Sequence, residues 1–257
     1  MTASVSSADT LVEVRGLRKQ FAGFTAVNGV DLSVRRGHIH ALIGPNGAGK
    51  TTCFNLLTKM LEPTSGSITF KGRDITRLPP ARVAQLGMVR SFQISAIFPT
   101  LTVLDNVRVA LQRKQGGSMQ FWRSDKSLAG LEAPAMALLA DVGLQDAAQA
   151  VAGDLSYGRK RALEIATTLA LDPEMLLLDE PTSGMGLEDV SATAALIRRV
   201  SKTRTILMVE HNLGVVADLA DRITVLAAGE VLTEGSYDEV SRDERVMAAY
   251  IGRKATA

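Results

Sequence analysis

The chain has 257 residues, 46% apolar and 22% charged, with a formal net charge of +2, an ordinary balance for a soluble globular protein with one large domain or two small ones. That charge leaves no nucleic-acid footprint and no acidic tail, and a single cysteine, Cys53, excludes an internal disulfide. No apolar run reaches the roughly 18 residues of a membrane-spanning helix.

The opening MTASVSSADT lacks the basic start and apolar middle of a secretory signal and reads as a frayed tail. LVEVRGLRKQF alternates apolar and polar residues like a half-buried strand, and VNGVDLSVRRGHIHALIG holds two more strands split at Arg36-Gly37. A helix is predicted from Thr51 to Leu61, stopped by Pro63, and SGSITFKGRDI reads as a strand pair. From about Thr102 to Gly143 the pattern is helical, with the polar connector QRKQGGSMQFWRSDKS inside it. After EMLLLDEP the order is strand, helix (Leu187 to Val200), strand (TILMVEH), helix, strand (RITVLAAGEVL), helix. Strands alternating with helices predict a largely parallel α/β core, preceded by antiparallel, meander-like strands.

Three motifs carry chemistry. Gly44-Pro45-Asn46-Gly47-Ala48-Gly49-Lys50-Thr51 fits G-x-x-x-x-G-K-[ST] between a strand and a helix, with Thr52 following. Glycines let the backbone curl so that successive N–H groups cradle phosphate oxygens, with the helix N-terminus aimed at the same anion. Lys50 would reach the β- and γ-phosphates and the Thr51 hydroxyl would ligate Mg²⁺. In MLLLDEP an apolar run reads as a strand buried on both faces and ends in Asp179 and Glu180. One carboxylate can hold the metal shell and the other can orient or deprotonate a water. Third, Ser156 and Gly158 head a helical run, which makes either a second anion site or a plain N-cap.

Taken together these motifs resemble the ATP-binding subunit of an ABC transporter over nearly the whole chain. Ser156-Tyr157-Gly158, in LSYGR, is similar to the family signature LSGGQ. By the same resemblance Phe21 matches the aromatic that stacks on adenine, and Gln93 matches the glutamine that links Mg²⁺ to the helical subdomain. Asp179 matches the metal-associated aspartate, Glu180 the catalytic glutamate and His211 the switch histidine. The implied fold is α/β: a P-loop NTPase (RecA-like) core with an N-terminal antiparallel β subdomain and a helical subdomain insert. A single domain over 1–257 would divide into a catalytic core, about 11–92 and 170–257, and a helical part, about 93–169, that carries the signature. VRSFQ and the ending VMAAYIG resemble the branched-chain amino acid importer ATPases and related importers of urea, amides and aromatic acids.

The resemblance implies ATP and Mg²⁺ as cofactors and a second ABC ATPase subunit, identical or different, as partner. It also implies transmembrane permease subunits, indirectly a solute-binding protein, no nucleic acid, and a peripheral place on the cytoplasmic face of the inner membrane. A soluble ABC ATPase of translation or DNA repair is the alternative. Such proteins usually carry two cassettes or a long coiled-coil insertion, which this chain lacks. A P-loop kinase or GTPase is opposed by the signature, by His211 and by the absence of an N-K-x-D motif.

Two positions depart from the family pattern: Arg159 replaces the signature glutamine, and Gly186 stands where many relatives carry an aspartate. Of the remaining residues, His38 and His40 are expected on one strand face as surface or packing histidines, and Cys53 as a small core residue. Arg159 to Arg161 either reach phosphate or form a solvated helix face. Phe121 and Trp122 fit local packing or a docking surface. Ile97, Phe98, Leu101, Val103 and Leu104 follow Gln93 without the period of a buried helix; they are a candidate docking surface, which by the resemblance would receive the permease, or else they close the helical subdomain's own small core.

Overall fold

The computed structural model describes residues 9–91, 97–114 and 130–251. The N-terminal tail, Gln93, Phe121 and Trp122 therefore lie outside the described residues.

A four-stranded antiparallel sheet has the order β2 (Phe24–Arg35), β1 (Thr10–Phe21), β4 (Ser65–Phe70), β5 (Arg73–Asp74). A six-stranded sheet has the order β10 (Glu230–Gly235), β9 (Arg222–Ala227), β3 (Ile39–Ile43), β8 (Thr205–Val209), β7 (Met175–Asp179), β6 (Met88–Ser91). From β9 to β6 every neighbouring pair is parallel, and β10 returns antiparallel.

Strands β3, β7 and β8 are buried along their whole length. Successive side chains point to opposite faces, so each strand feeds two cores. Leu176, Leu178, Ile206 and Met208 face one apolar cluster, shared with the helices. Met175, Leu177, Leu207 and Val209 face the other, filled by Phe54, Phe70 and the antiparallel sheet.

Helices α3 (Val103–Lys114), α4 (Glu132–Val142) and α5 (Tyr157–Leu169) pack on one another, and α5 also reaches β6 and α6 (Leu187–Ser201). The fold is thus an α/β core with an antiparallel β subdomain and a helical insert.

Several elements differ from the sequence expectation. Helix α1 spans Lys50–Leu57 and stops well short of Leu61. The Thr58 hydroxyl donates to the Phe54 carbonyl at 2.8 Å, and Lys59 turns left-handed at φ 61°, so the chain leaves the helix before Pro63. RITVLAAGEVL is a hairpin, β9 and β10, because Ala228 and Gly229 both take positive φ, the twist that joins antiparallel strands through two residues. Helix α7 spans Leu213–Leu219, and the last helical stretch is two short helices, α8 (Tyr237–Ser241) and α9 (Glu244–Ile251). Helix α3 runs on into the start of the polar connector. Helix α2 (Pro80–Gln85) and strand β6 carry too few residues for a period to show.

Cys53 is buried, and burial pushes its thiol up to about 12. His38 precedes β3, whereas His40 lies within it, 1% exposed. The Thr224 hydroxyl donates to Glu234 Oε2 at 2.8 Å, so its oxygen accepts from His40 Nε2, also 2.8 Å away. Burial lowers the imidazole pKa from 6.5 to about 4, against the opposing pull of Glu234.

The folded chain therefore binds fewer protons than the unfolded chain between those two values. Stability is kept above pH 6.5 and falls as the pH drops towards 4. Linkage gives a loss of about 2 kcal/mol between pH 7.5 and pH 5. Thermal unfolding across that range should show this loss in the wild type, and His40→Gln should remove most of it.

Candidate functional site

Register builds the site. Leu42 of β3 and Asp179 of β7 both pair with Val209 of β8, so three adjacent strands end in one row. Neighbouring strands lie about 4.8 Å apart, which brings the three strand ends within roughly 10 Å. Gly44, Glu180 and His211 all follow directly beyond that row. In a parallel sheet this carboxyl edge is where ligands bind.

The turn from β3 to α1 is Gly44 to Gly49. A Cβ on Gly44 would stand 2.1 Å from the Leu226 carbonyl oxygen, and one on Gly49 would stand 2.5 Å from that of Ala26. Both glycines are at positive φ, so packing and dihedral demand the same residue. The loop is tied down from outside: the Gly229 N–H donates to the Ala48 carbonyl at 3.1 Å. Lys50 is buried and folds its ammonium back to the carbonyls of Gly44, at 2.7 Å, and Pro45, at 3.0 Å. The loop thus closes around a positive charge, a fit for phosphate oxygens. Thr51 is exposed at the first turn of α1, and Asn46 and Gly47 are also exposed.

Asp179 is buried at the end of β7 and its carboxylate accepts from the Arg90 guanidinium of β6. Glu180 follows at φ 45°, a left-handed conformation, and its N–H donates to the Val209 carbonyl at 2.9 Å. His211 Nδ1 lies 4.0 Å from Glu180 Oε2 and 3.8 Å from Glu210 Oε1, with the imidazole largely exposed. A carboxylate and an imidazole at this separation can hold one water between them.

Glu210 escaped the sequence reading. It is fully buried and accepts from the Thr182 hydroxyl at 2.7 Å, from the Thr182 N–H at 3.3 Å, and from the N–H groups of His211 at 2.9 Å and Asn212 at 3.0 Å. It pins the loop after β7 to the loop after β8. The only signal was an acid next to a histidine, which local sequence cannot tell from a surface pair.

Ser156 caps α5, accepting from the Arg159 N–H at 3.5 Å, and Tyr157 is exposed with its hydroxyl 3.4 Å from the Ser183 carbonyl. A Cβ on Gly158 would stand 2.4 Å from Asp189 Oδ1 of α6, so the glycine admits that close approach.

The arginines after Gly158 divide, Arg159 on the solvated side of the helix and Arg161 in the interior. Arg159 is bidentate to Asp146 at 2.7 and 2.6 Å, while Arg161 is buried, paired with Glu164 at 2.7 Å and directed to the Asp179 carbonyl at the end of β7. Gly186 sits at the N-cap of α6 with no side chain to offer. Phe21 is partly exposed, with Lys19 Nζ 5.0 Å from its ring centre.

The five apolar residues expected as one docking surface separate. Val103 and Leu104 are fully buried in the helical core, and Ile97 packs against it, because α3 starts at Val103 and turns them inward. Phe98 stays 52% exposed, its backbone held by Asn106, which accepts from its N–H at 2.7 Å and donates to its carbonyl at 3.0 Å.

Oxygen donors are what Mg²⁺ takes, usually one or two carboxylates or hydroxyls completed by phosphate and water. Thr51 and Asp179 fit that chemistry. Among the described residues no group of three or more His, Cys, Asp or Glu side chains could hold a metal by itself.

Comparison with known proteins gives the family. The profile of the family described as ABC transporter matches residues 27–183, and that of the Branched-chain amino acid ATP-binding cassette transporter matches residues 230–256. The high-affinity branched-chain amino acid transport ATP-binding protein LivG of Salmonella typhimurium is 39% identical over 250 residues, 94% of this chain and 98% of that protein. Its counterpart BraF of Pseudomonas aeruginosa is 36% identical over 252 residues, with the same coverage. Among solved structures, the ADP conformation of MJ1267, an ATP-binding cassette of an ABC transporter, superposes with a TM-score of 0.83 at 28% identity, covering 95% of this chain and 99% of that one. A dimeric structure of MJ0796, a bacterial ABC transporter cassette, superposes with a TM-score of 0.72 at 25% identity, covering 88% and 99%. The chain belongs to the ABC transporter family, as one of its ATP-binding ATPases.

Proposed function

We propose that this chain is the ATP-hydrolysing subunit of an importer of branched-chain amino acids or a closely related solute. The observation that carries the mechanism is the single row of strand ends that brings the Gly44–Thr51 loop, Asp179–Glu180 and His211 together. The solute class rests on the printed names of relatives such as LivG and BraF and on the C-terminal match at residues 230–256.

In this reading the backbone N–H groups of Gly47 to Thr52 bind the phosphates, and Lys50 turns from the Gly44 and Pro45 carbonyls towards them. Phe21 takes the adenine face. Thr51, Asp179 and Gln93 would hold Mg²⁺, which when bound neutralises charge on the phosphate oxygens. Glu180 accepts the proton of the attacking water. His211 orients that water and donates to the γ-phosphate, where charge develops. Glu210 acts through backbone, keeping the His211 loop in register with Glu180.

Ser156 and Tyr157 stand exposed beside Gly158 at the head of α5, as a site that meets a second subunit must. Each nucleotide would then lie between the Gly44–Thr51 loop of one subunit and Ser156–Gly158 of the other, whether the partner is a second copy or a different ATPase. The dimeric relative supports that arrangement. Residues of about 93–169 would move as the helical unit against a catalytic core of about 11–92 and 170–257, and Phe98 would meet the permease. The subunit would work on the cytoplasmic face of the membrane, fed by a solute-binding protein on the far side.

Calorimetry with ATP tests the loop. Lys50→Ala removes a charge-assisted contact of about 1.5–3 kcal/mol, so affinity should fall at least about tenfold. Wild-type affinity would refute the role. Glu180→Gln keeps shape and removes the base. It should bind ATP, hydrolyse it at a small fraction of the wild-type rate and dimerise when ATP is present; near-normal turnover would sink the assignment. Phe98→Asp separates docking from packing. The purified subunit should melt and hydrolyse ATP as the wild type does, while assembly with the permease or transport fails. A melting point several degrees lower with lost ATPase activity would make Phe98 a core residue.

A further inference from the structure

The Asp179 carboxylate is already engaged. Arg90, on the neighbouring strand β6, donates to its Oδ2, in a pair whose side chains are 10% and 6% exposed. Arg90 is also anchored on α1, the helix that begins at Lys50. Its Nη1 donates to Asn55 Oδ1 at 2.6 Å, and its Cζ lies 5.8 Å from the centre of the Phe54 ring. One guanidinium therefore ties the phosphate-loop helix to the end of β7. Arg161 of α5 approaches from another direction, its Nη2 3.4 Å from the Asp179 carbonyl oxygen. Two buried cations converge on the residue to which the proposed function assigns a metal ion.

A guanidinium and a metal ion on one buried carboxylate compete. In a weakly screened setting a metal ion either displaces the guanidinium from an oxygen or binds against its repulsion. Without a counter-ion Asp179 would be a buried, uncompensated anion, which folded chains avoid. We infer that Arg90 is a positioning residue of the ATPase site: it occupies the Asp179 carboxylate as an internal cation, competes with Mg²⁺ for it, and so sets the Mg²⁺ concentration the site demands. The inference rests on the assignment of Asp179 to the metal shell. Its cause is local. Asn55 and Phe54 also hold Arg90 beside Asp179, which keeps the competitor within reach.

The test is a calorimetric Mg²⁺ titration of the full-length, ADP-bound protein, with ADP binding in EDTA measured alongside. Neither measurement involves turnover. Arg90→Gln removes the charge and keeps an amide donor. It should tighten Mg²⁺ binding at least about fivefold, the scale of one neighbouring charge in a screened site, and leave ADP binding in EDTA within about twofold. Arg90→Lys keeps the charge and should titrate within about twofold of the wild type. Unchanged or weaker Mg²⁺ binding in Arg90→Gln would overturn the competition and leave Arg90 a scaffold for Asp179.

Asp179→Asn is the control that separates the two claims. If it binds Mg²⁺ as the wild type does, the metal assignment itself falls. If it loses Mg²⁺ while Arg90→Gln matches the wild type, only the competition falls. Should Arg90→Gln fail to fold, the arginine Nε–H resonance of Arg90 in the wild type, identified by its loss in Arg90→Lys, gives the answer. It should shift or broaden when Mg²⁺ is added to the ADP complex, and an unmoved resonance would overturn the inference.

Discussion

Strand β8 lies between β3 and β7, and its register with both determines where the Gly44–Thr51 loop, Asp179, Glu180 and His211 stand relative to one another. Val209 pairs with Leu42 on one side and Asp179 on the other. A slip of one residue in either pairing would turn Gly44, Glu180 or His211 to the opposite face, because side chains alternate along a strand. What prevents the slip is burial on both faces. Each strand sends alternate residues into two separate apolar clusters, so a one-residue slip would exchange the two sets of side chains. The site inherits its accuracy from a packing constraint that involves none of its own polar groups.

On that frame a few buried charges do the fine positioning. Glu210 draws in four donors from two loops and fixes how far His211 stands from Glu180. Arg90 and Arg161 approach Asp179 from β6 and α5, and Arg90 reaches α1 as well. Buried ion pairs of this kind add little net stability compared with apolar packing, because desolvation opposes attraction. Their effect is specificity of geometry. Removing one partner leaves a charge without compensation, so each side chain enforces the position of the next. Glutamate, aspartate and arginine thereby link the four elements α1, β6, β7 and α5 around the site.

The helical part shows the same division between packing and exposure. Val103 and Leu104 close the core of α3, α4 and α5, while Phe98, a few residues earlier, stays in solvent on a backbone clamped by Asn106. An aromatic side chain presented on a rigid backbone loses little freedom on meeting a partner. At the head of α5, Gly158 lets the first turn approach Asp189 of α6, so the exposed Ser156 and Tyr157 are held on a rigid base.

Much of this was legible in the sequence. The Gly44–Thr51 loop declares itself because glycine spacing, a lysine and a strand-to-helix change coincide within a dozen residues. The strands ending at Asp179 and before His211 declare themselves because a run of wholly apolar residues has only one place to go. The hairpin at Ala228-Gly229, the early end of α1 and the short elements α2 and β6 were not legible, since their limits depend on single left-handed residues or on segments too short for a period. Nor were the roles of Glu210, Arg90 and Arg161. A charged residue has the same local pattern whether it is solvated or buried, and only its distant partners decide which. Asn55, Phe54 and Asp179 are far from Arg90 in the chain, and nothing in local propensity links them. The sequence by itself determined where the glycine turn falls between strand and helix and which strands must be buried. The tertiary structure alone decided which charges meet, because that depends on how β6, β7, β8 and α1 are brought side by side.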